Sequence, residues 1–173
     1  MTRVAILTVS DRASRGDYED LSGPAIESWL RAAIANPFEC ICRTVPDGAE
    51  SVKEALMALC DRDNADLVLT TGGTGPSPRD LTPEAMREVI IRELPGFGEL
   101  MRQASLAQVP TAILSRQAAG IRGRTLIINL PGKPSAIDVC LNAVFPAVPY
   151  CLDLIGAGRI ETDPAVCPSF RPA

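Results

Sequence analysis

The chain has 173 residues, a length that suits one domain around one substantial core. Its 46% hydrophobic and 22% charged content excludes a disordered chain, and with only 4% aromatics the core must be aliphatic and alanine-rich. The net charge of −4 lacks the basic footprint of a nucleic-acid protein, so any anion site has to be a local pocket. Val4–Val9 is a continuous apolar run, the pattern of a strand buried on both faces. Ser10–Gly16 reads as a polar loop, and a helix starting near Gly23–Pro24 carries Ile26, Trp29, Leu30 and Ala33 at helical spacing. Glu39–Val45 alternates like a more exposed strand. Ala49–Arg62 is the clearest helix, with Val52, Ala55, Leu56, Leu59 and Cys60 on one stripe. Asp66–Thr70 reads as the third strand and Pro83–Leu94 as the third helix.

The second half is less regular. Gly96–Leu106 reads as helix, Ala112–Leu114 as extended chain and Thr125–Leu130 as a strong strand. Ser135–Val144 and Val148–Ile155 read as helices, and Gly156–Ala173 as a loop-like tail. Strands alternating with helices predict an α/β fold, with helices on both faces of a mostly parallel sheet spanning residues 1–173 as one unit. Ligands of such sheets bind beyond the strand C-termini, near a topological switch point.

Histidine is absent, which removes Ser–His–Asp and Cys–His catalysis and imidazole zinc sites. Nucleotidyl transfer rests on positioning and charge neutralisation and stays open. The six cysteines, Cys40, Cys42, Cys60, Cys140, Cys151 and Cys167, form no Cys-x-x-Cys pair and read as small hydrophobes. Cys40 and Cys42 fall on the same face of a predicted strand. No signal peptide is expected, and no membrane-spanning run: Pro146 and Pro149 interrupt the best candidate, near Ala143–Tyr150. The expected compartment is the reducing cytoplasm.

The segment richest in chemistry is Leu67–Pro76, an apolar strand that ends in Thr70, Thr71, Gly72, Gly73, Thr74 and Gly75. Glycines let a backbone approach a bulky anion and turn N–H groups towards it, and threonine hydroxyls add donors. A tight strand-to-helix turn also favours glycine, but needs fewer of these residues. The spacing is neither G-x-G-x-x-G nor a Walker loop. Thr82 is placed to cap the next helix, with Pro83 at its first position and Glu84 in its first turn. Asp47 and Asp80 each follow a predicted strand. Either alone reads as a turn or cap residue, but at one sheet edge the pair suits magnesium shared with phosphates. Pro131–Gly132 reads as a backbone-exposing anion turn or as a rigid connector, with Lys133 beside it as a point charge. Ser10, Asp11 and Arg12 leave the first strand towards the same edge, as ligand contacts or as solvated loop. Arg122 and Arg124 read as a basic hairpin or a ligand site.

These segments, taken together, resemble the molybdopterin adenylyltransferase family, the Mog-like enzymes of molybdenum cofactor synthesis. The resemblance runs through Val9–Ser10–Asp11–Arg12, Val45–Pro46–Asp47, the Leu67–Glu84 region, Pro95–Gly96–Phe97–Gly98, Thr111–Arg116 and Leu130–Pro134, in the family's order. It implies the Mog-like fold and adenylylation of molybdopterin by ATP, with diphosphate released and molybdate insertion to follow. It implies Asp47 and Asp80 as the essential acids and as the magnesium ligands. The glycine turn would hold the pterin end and the nucleotide phosphates, with Ser115, Asn129 and Gly132 as further contacts. It also implies a homotrimer and a partner in the molybdate-inserting enzyme of the same pathway. A pterin-binding protein without catalysis and a nucleotide pyrophosphatase share the frame; retention of both aspartates argues for the transferase.

Overall fold

Four strands lie side by side in parallel in the computed structural model, which describes residues 1–173. In chain order the elements begin with β1 (Thr2–Val9), α1 (Asp11–Ser14), α2 (Ser22–Ala33), β2 (Phe38–Val45) and α3 (Ala49–Met57). They continue with β3 (Leu67–Thr71), α4 (Thr82–Val89), β4 (Arg92–Glu93) and α5 (Pro95–Leu106). The last are β5 (Ala119–Arg122), β6 (Thr125–Leu130), α6 (Pro134–Val144) and α7 (Val148–Leu154). The sheet order is β2-β1-β3-β6-β5-β4; the first four strands are parallel, and β5 and β4 add an antiparallel edge.

Alternation along β1 divides the core in two. Val4 and Ile6 face α2, α6 and α7, packing with Ile26, Leu30, Leu141 and Leu152. Ala5, Leu7 and Val9 face the other way, onto Val52 and Leu56 of α3 and Met86 and Val89 of α4. Each central strand is therefore apolar on both faces, which is why its sequence is a run rather than an alternation. The result is the three-layer α/β/α fold expected from the sequence. The scarce aromatics meet once, with Trp29 and Phe145 edge-on at 4.8 Å. The outermost strand, β2, alternates half-buried and exposed residues as its sequence does.

Several local expectations need correction. Ser10–Gly16 is not all loop, since the Ser10 hydroxyl accepts the Ala13 N–H at 3.2 Å and caps the short α1. The helix from Ala49 is α-helical only to Met57 and continues as a wider π turn over Ala58–Arg62. The helix expected over Pro83–Leu94 stops at Val89, where Ile90 turns extended and Arg92–Glu93 pairs with β5. Ala112–Leu114 is not extended but part of a 3₁₀ turn, Pro110–Leu114. Pro134–Leu154 is a continuous helical stretch of 21 residues whose most apolar 18-residue window has a mean hydropathy of 1.4, which is long and apolar enough for a membrane span by length and composition alone. Pro146 and Pro149 fail to interrupt it because each sits in the first turn of its own helical piece, where its missing N–H costs nothing. Its residues Ile137, Leu141, Val144 and Leu152 belong to the core against the sheet. The tail from Gly156 is irregular as expected, yet it buries Ile160 and Cys167 and ties Arg171 to Asp153 at 2.6 Å.

Candidate active site

All four parallel strands deliver their C-terminal ends to one edge, in the register Val9 beside Val45, Thr8 beside Thr71 and Thr71 beside Leu130. β1 leads to the helix layer containing α2, whereas its neighbour β3 leads to α4 on the opposite face. The crevice between them is the switch point of the sheet. A cleft of about 210 Å³ opens there, lined by the end of β1 through Ser10, by Thr71–Gly72, by Gly132, and by Tyr18, Asp20 and Ser22.

The glycine turn is shaped by backbone rather than side chains. Gly72 and Gly73 have φ of +94° and +64°, which β-branched residues resist. A Cβ on Gly72 would collide with the Val9 carbonyl oxygen, and one on Gly73 with the Thr82 hydroxyl. Thr82 does not cap α4. It occupies the first helical position, donates its hydroxyl to the Gly72 carbonyl at 3.0 Å, and sends its N–H to the Gly73 carbonyl at 3.1 Å. Thr70 and Thr71 are fully buried, and both hydroxyls are engaged within the protein. Thr70 accepts from the Asn129 amide at 3.0 Å, and Thr71 donates to the Pro131 carbonyl at 2.8 Å. Asn129, also fully buried, keeps its side-chain oxygen without a hydrogen-bond partner under this edge.

Asp11 and Asp47 clasp each other's backbones: the Asp11 N–H donates to the Asp47 carboxylate at 3.1 Å, and the Asp47 N–H to the Asp11 carboxylate at 3.0 Å. Arg79 pairs with Asp11 from the loop after β3. Burial, and then the charge of Asp80, raise the Asp47 carboxyl above its ordinary range. Two carboxylates near enough to repel across a half-buried edge are an oxygen donor set of the kind that holds Mg²⁺. The residues present therefore fit that ion.

Arg116 explains how Asp80 is held. Its guanidinium donates to the Gly75 carbonyl at 2.9 Å, to the Asp80 carbonyl and to the Glu84 carboxylate, while its N–H bonds the Thr74 carbonyl at 2.8 Å. The Arg116 hydrogen bond lowers the Glu84 carboxyl against some burial. Ser115, the residue before Arg116, is not brought to the cleft. It lines a second, polar hollow with Arg87, Glu99 and Arg102, and its hydroxyl has no partner. Arg122 and Arg124 lie at the opposite end of the sheet, where they pair with Asp61 and Asp66. Sequence reasoning missed Tyr18 and Asp20. Arg12 lies over the Tyr18 ring at 4.8 Å, and Asp20 accepts from the Thr8 hydroxyl and from the Ser22 and Gly23 N–H groups.

Residues 5–150 match the sequence profile of a family described as a probable molybdopterin binding domain. The chain belongs to this family. Its molybdopterin-binding relatives include a protein of Helicobacter pylori strain 26695 named molybdopterin adenylyltransferase, 54% identical over 98% of this chain and 96% of its own length. The Escherichia coli K12 protein of the same name is 47% identical over 98% of this chain and 93% of its own. Among solved structures, the molybdopterin biosynthesis enzyme MoaB from Thermus thermophilus superposes with a TM-score of 0.84 at 47% identity, covering 93% of this chain and all of that one. Within this molybdopterin-binding frame the matched region takes in Ser10, Asp47, the glycine turn, Asp80, Asn129 and Gly132, but not the tail.

Proposed function

We propose that this chain adenylylates molybdopterin at the cleft between β1 and β3. A terminal phosphate oxygen of the pterin attacks the α-phosphorus of ATP, forming a new phosphorus–oxygen bond as the bond to the β-phosphate breaks and diphosphate leaves. The observation that supports this reading is that the charge of Asp80 reaches the Asp47 carboxyl at the sheet edge where Gly72 and Gly73 turn with positive φ, beside the cleft. Asp47 and Asp80 would hold Mg²⁺, which when bound neutralises charge on the triphosphate and the leaving group. Gly72, Gly73 and Gly132 offer close backbone approach to phosphate oxygens, a preorganised polar surface that needs no protein nucleophile. Ser10, Asp11, Thr74 and Gly75 border that surface, while Thr70, Thr71, Asn129 and Pro131 support it from below through their mutual hydrogen bonds. Arg12, stacked on Tyr18, stands ready to pair with phosphate or cover a base.

The whole of residues 1–173 serves as one catalytic unit, placed in the cytoplasm with its thiols reduced. Its product passes to the enzyme that inserts molybdate. The working form is a homotrimer, a reading supported by the uncovered apolar groove among Leu94, Phe97, Leu100, Tyr150 and Phe170 and checked by sedimentation equilibrium.

Asp80→Asn tests the activity. With the fold retained by circular dichroism, adenylyl-molybdopterin formation falls by about 100-fold or more, at least the loss that outer-shell partners of a metal cause. Near wild-type turnover at limiting magnesium would remove Asp80 from the site. Calorimetric titration separates a carrier from a transferase, because a protein that only carries pterin ignores ATP and magnesium.

A further inference from the structure

At the outer edge of the sheet, away from the cleft, Cys40 and Cys42 of β2 stand under Glu27 of α2. Residues two apart on a strand share a face, so both sulfurs point at the same helix. Their Sγ atoms are 3.9 Å apart, and Cys42 Sγ lies 3.8 Å from Glu27 Oε2. The three ligand atoms all fall within 4.8 Å of one another. Metal–sulfur bonds of about 2.3 Å and a metal–oxygen bond of about 2.1 Å at tetrahedral angles place sulfurs about 3.8 Å apart, and sulfur and oxygen about 3.6 Å apart. A linear ion with the same bond length would need the sulfurs about 4.6 Å apart. The sulfur–sulfur spacing and the Cys42–Glu27 spacing match the tetrahedral case.

The carboxylate is already oriented for it. Arg31, one turn along α2, takes Glu27 Oε1 through two donors at 2.9 and 2.5 Å, which leaves Oε2 for the thiols. Arg31 is itself braced over the Phe38 ring at 5.6 Å. Such an outer partner fixes a ligand as it does in zinc sites. With both thiols ionised, the three ligands and Arg31 together carry two negative charges, which one divalent cation cancels.

We infer that Glu27, Cys40 and Cys42 form a binding site for one thiophilic divalent cation of the zinc class, with its fourth position open to solvent or an added ligand. The donor set is soft, two sulfurs and one oxygen, whereas Asp47 and Asp80 form a hard oxygen pair, so the two sites select different ions. Without metal the thiols are held protonated; burial, and then the neighbouring Cys42, push Cys40 up to about 12. Binding therefore exchanges two thiol protons for the ion and strengthens as pH rises. Cys42 is exposed, which leaves the ion a path in.

Cobalt(II) titration of the reduced, full-length protein tests this. One equivalent per chain should produce sulfur-to-cobalt charge transfer and the intense visible bands of tetrahedral cobalt, bleached by one equivalent of zinc and untouched by excess magnesium. Cys42→Ser should abolish those bands while keeping the wild-type circular dichroism spectrum and adenylyl transfer rate. Glu27→Gln should weaken cobalt binding by about 10-fold or more, at least the effect of losing an outer-shell partner. Absence of thiolate bands in the wild-type protein, or bands that survive Cys42→Ser, would overturn the assignment.

Discussion

Burial and the charge of Asp80 hold the Asp47 carboxyl above its ordinary range, and the sign of that shift separates function from stability. An acid that binds its proton more tightly when folded works against the fold as pH climbs past the unfolded value of 3.8, and most fully above the folded value. Asp47→Asn removes that opposing charge, and the new amide oxygen can still accept the Asp11 N–H. Its thermal midpoint at neutral pH should therefore equal or exceed that of the wild type, while adenylyl transfer collapses. Calorimetry beside a turnover assay checks both, and a clear fall in midpoint would make Asp47 a structural residue. If the two acids share one ion, Asp47→Asn with Asp80→Asn should be little slower than either alone, because groups acting as a unit are non-additive. Additive losses would place them at separate sites. Asp20 has the opposite sign: although burial opposes it, its bonds from Thr8, Gly23 and Ser22 hold its carboxyl low. Its stabilisation is present above the unfolded value of 3.8 and is lost as pH falls through the folded one.

Among the elements, the turn between β3 and α4 couples shape to chemistry most tightly. Gly73→Val sets a branched side chain at φ +64° against the Thr82 hydroxyl that secures the Gly72 carbonyl. Lower thermal stability is expected, together with loss of affinity for both pterin and nucleotide in the protein that stays folded, measured by equilibrium dialysis at a temperature below the transition. A folded variant that binds both ligands normally would show that this turn is not the cradle. The turn itself was legible in the sequence because glycines at a strand end have few other uses, and so were β1, β3 and β6 from their unbroken apolar runs. The antiparallel edge was not. Ala119–Arg122 contains a glycine and only one β-branched residue, and Arg92–Glu93 is two exposed charged residues with no pattern. The helix before it ends at Val89 because the chain there pairs with β5, a tertiary demand no local propensity carries. The site followed the same rule. Asp47 and Asp80 could be picked out by position after strands, whereas the clamp by Arg116 and the places of Tyr18 and Asp20 depend on contacts between distant segments.

For the molecule as a whole, the two cores behind the sheet divide the labour of the site. Asp47 opens into α3 and Asp80 into α4, and these helices belong to the same layer. Tyr18, Asp20 and Gly132 lead instead into α2 and α6, on the other side. The acids thus ride on one slab and much of the cleft wall on its opposite, with β1 and β3 as the shared floor. A flaw in one slab should then have its own kinetic signature. Leu56→Ala and Leu141→Ala each empty a fully buried position and should each cost about 2–5 kcal/mol of stability. Only Leu56→Ala loosens the slab that spaces the two carboxylates, so it should raise the magnesium concentration needed for half-maximal rate. Leu141→Ala, equally unstable, should leave that magnesium requirement where it was and weaken the grip on nucleotide instead.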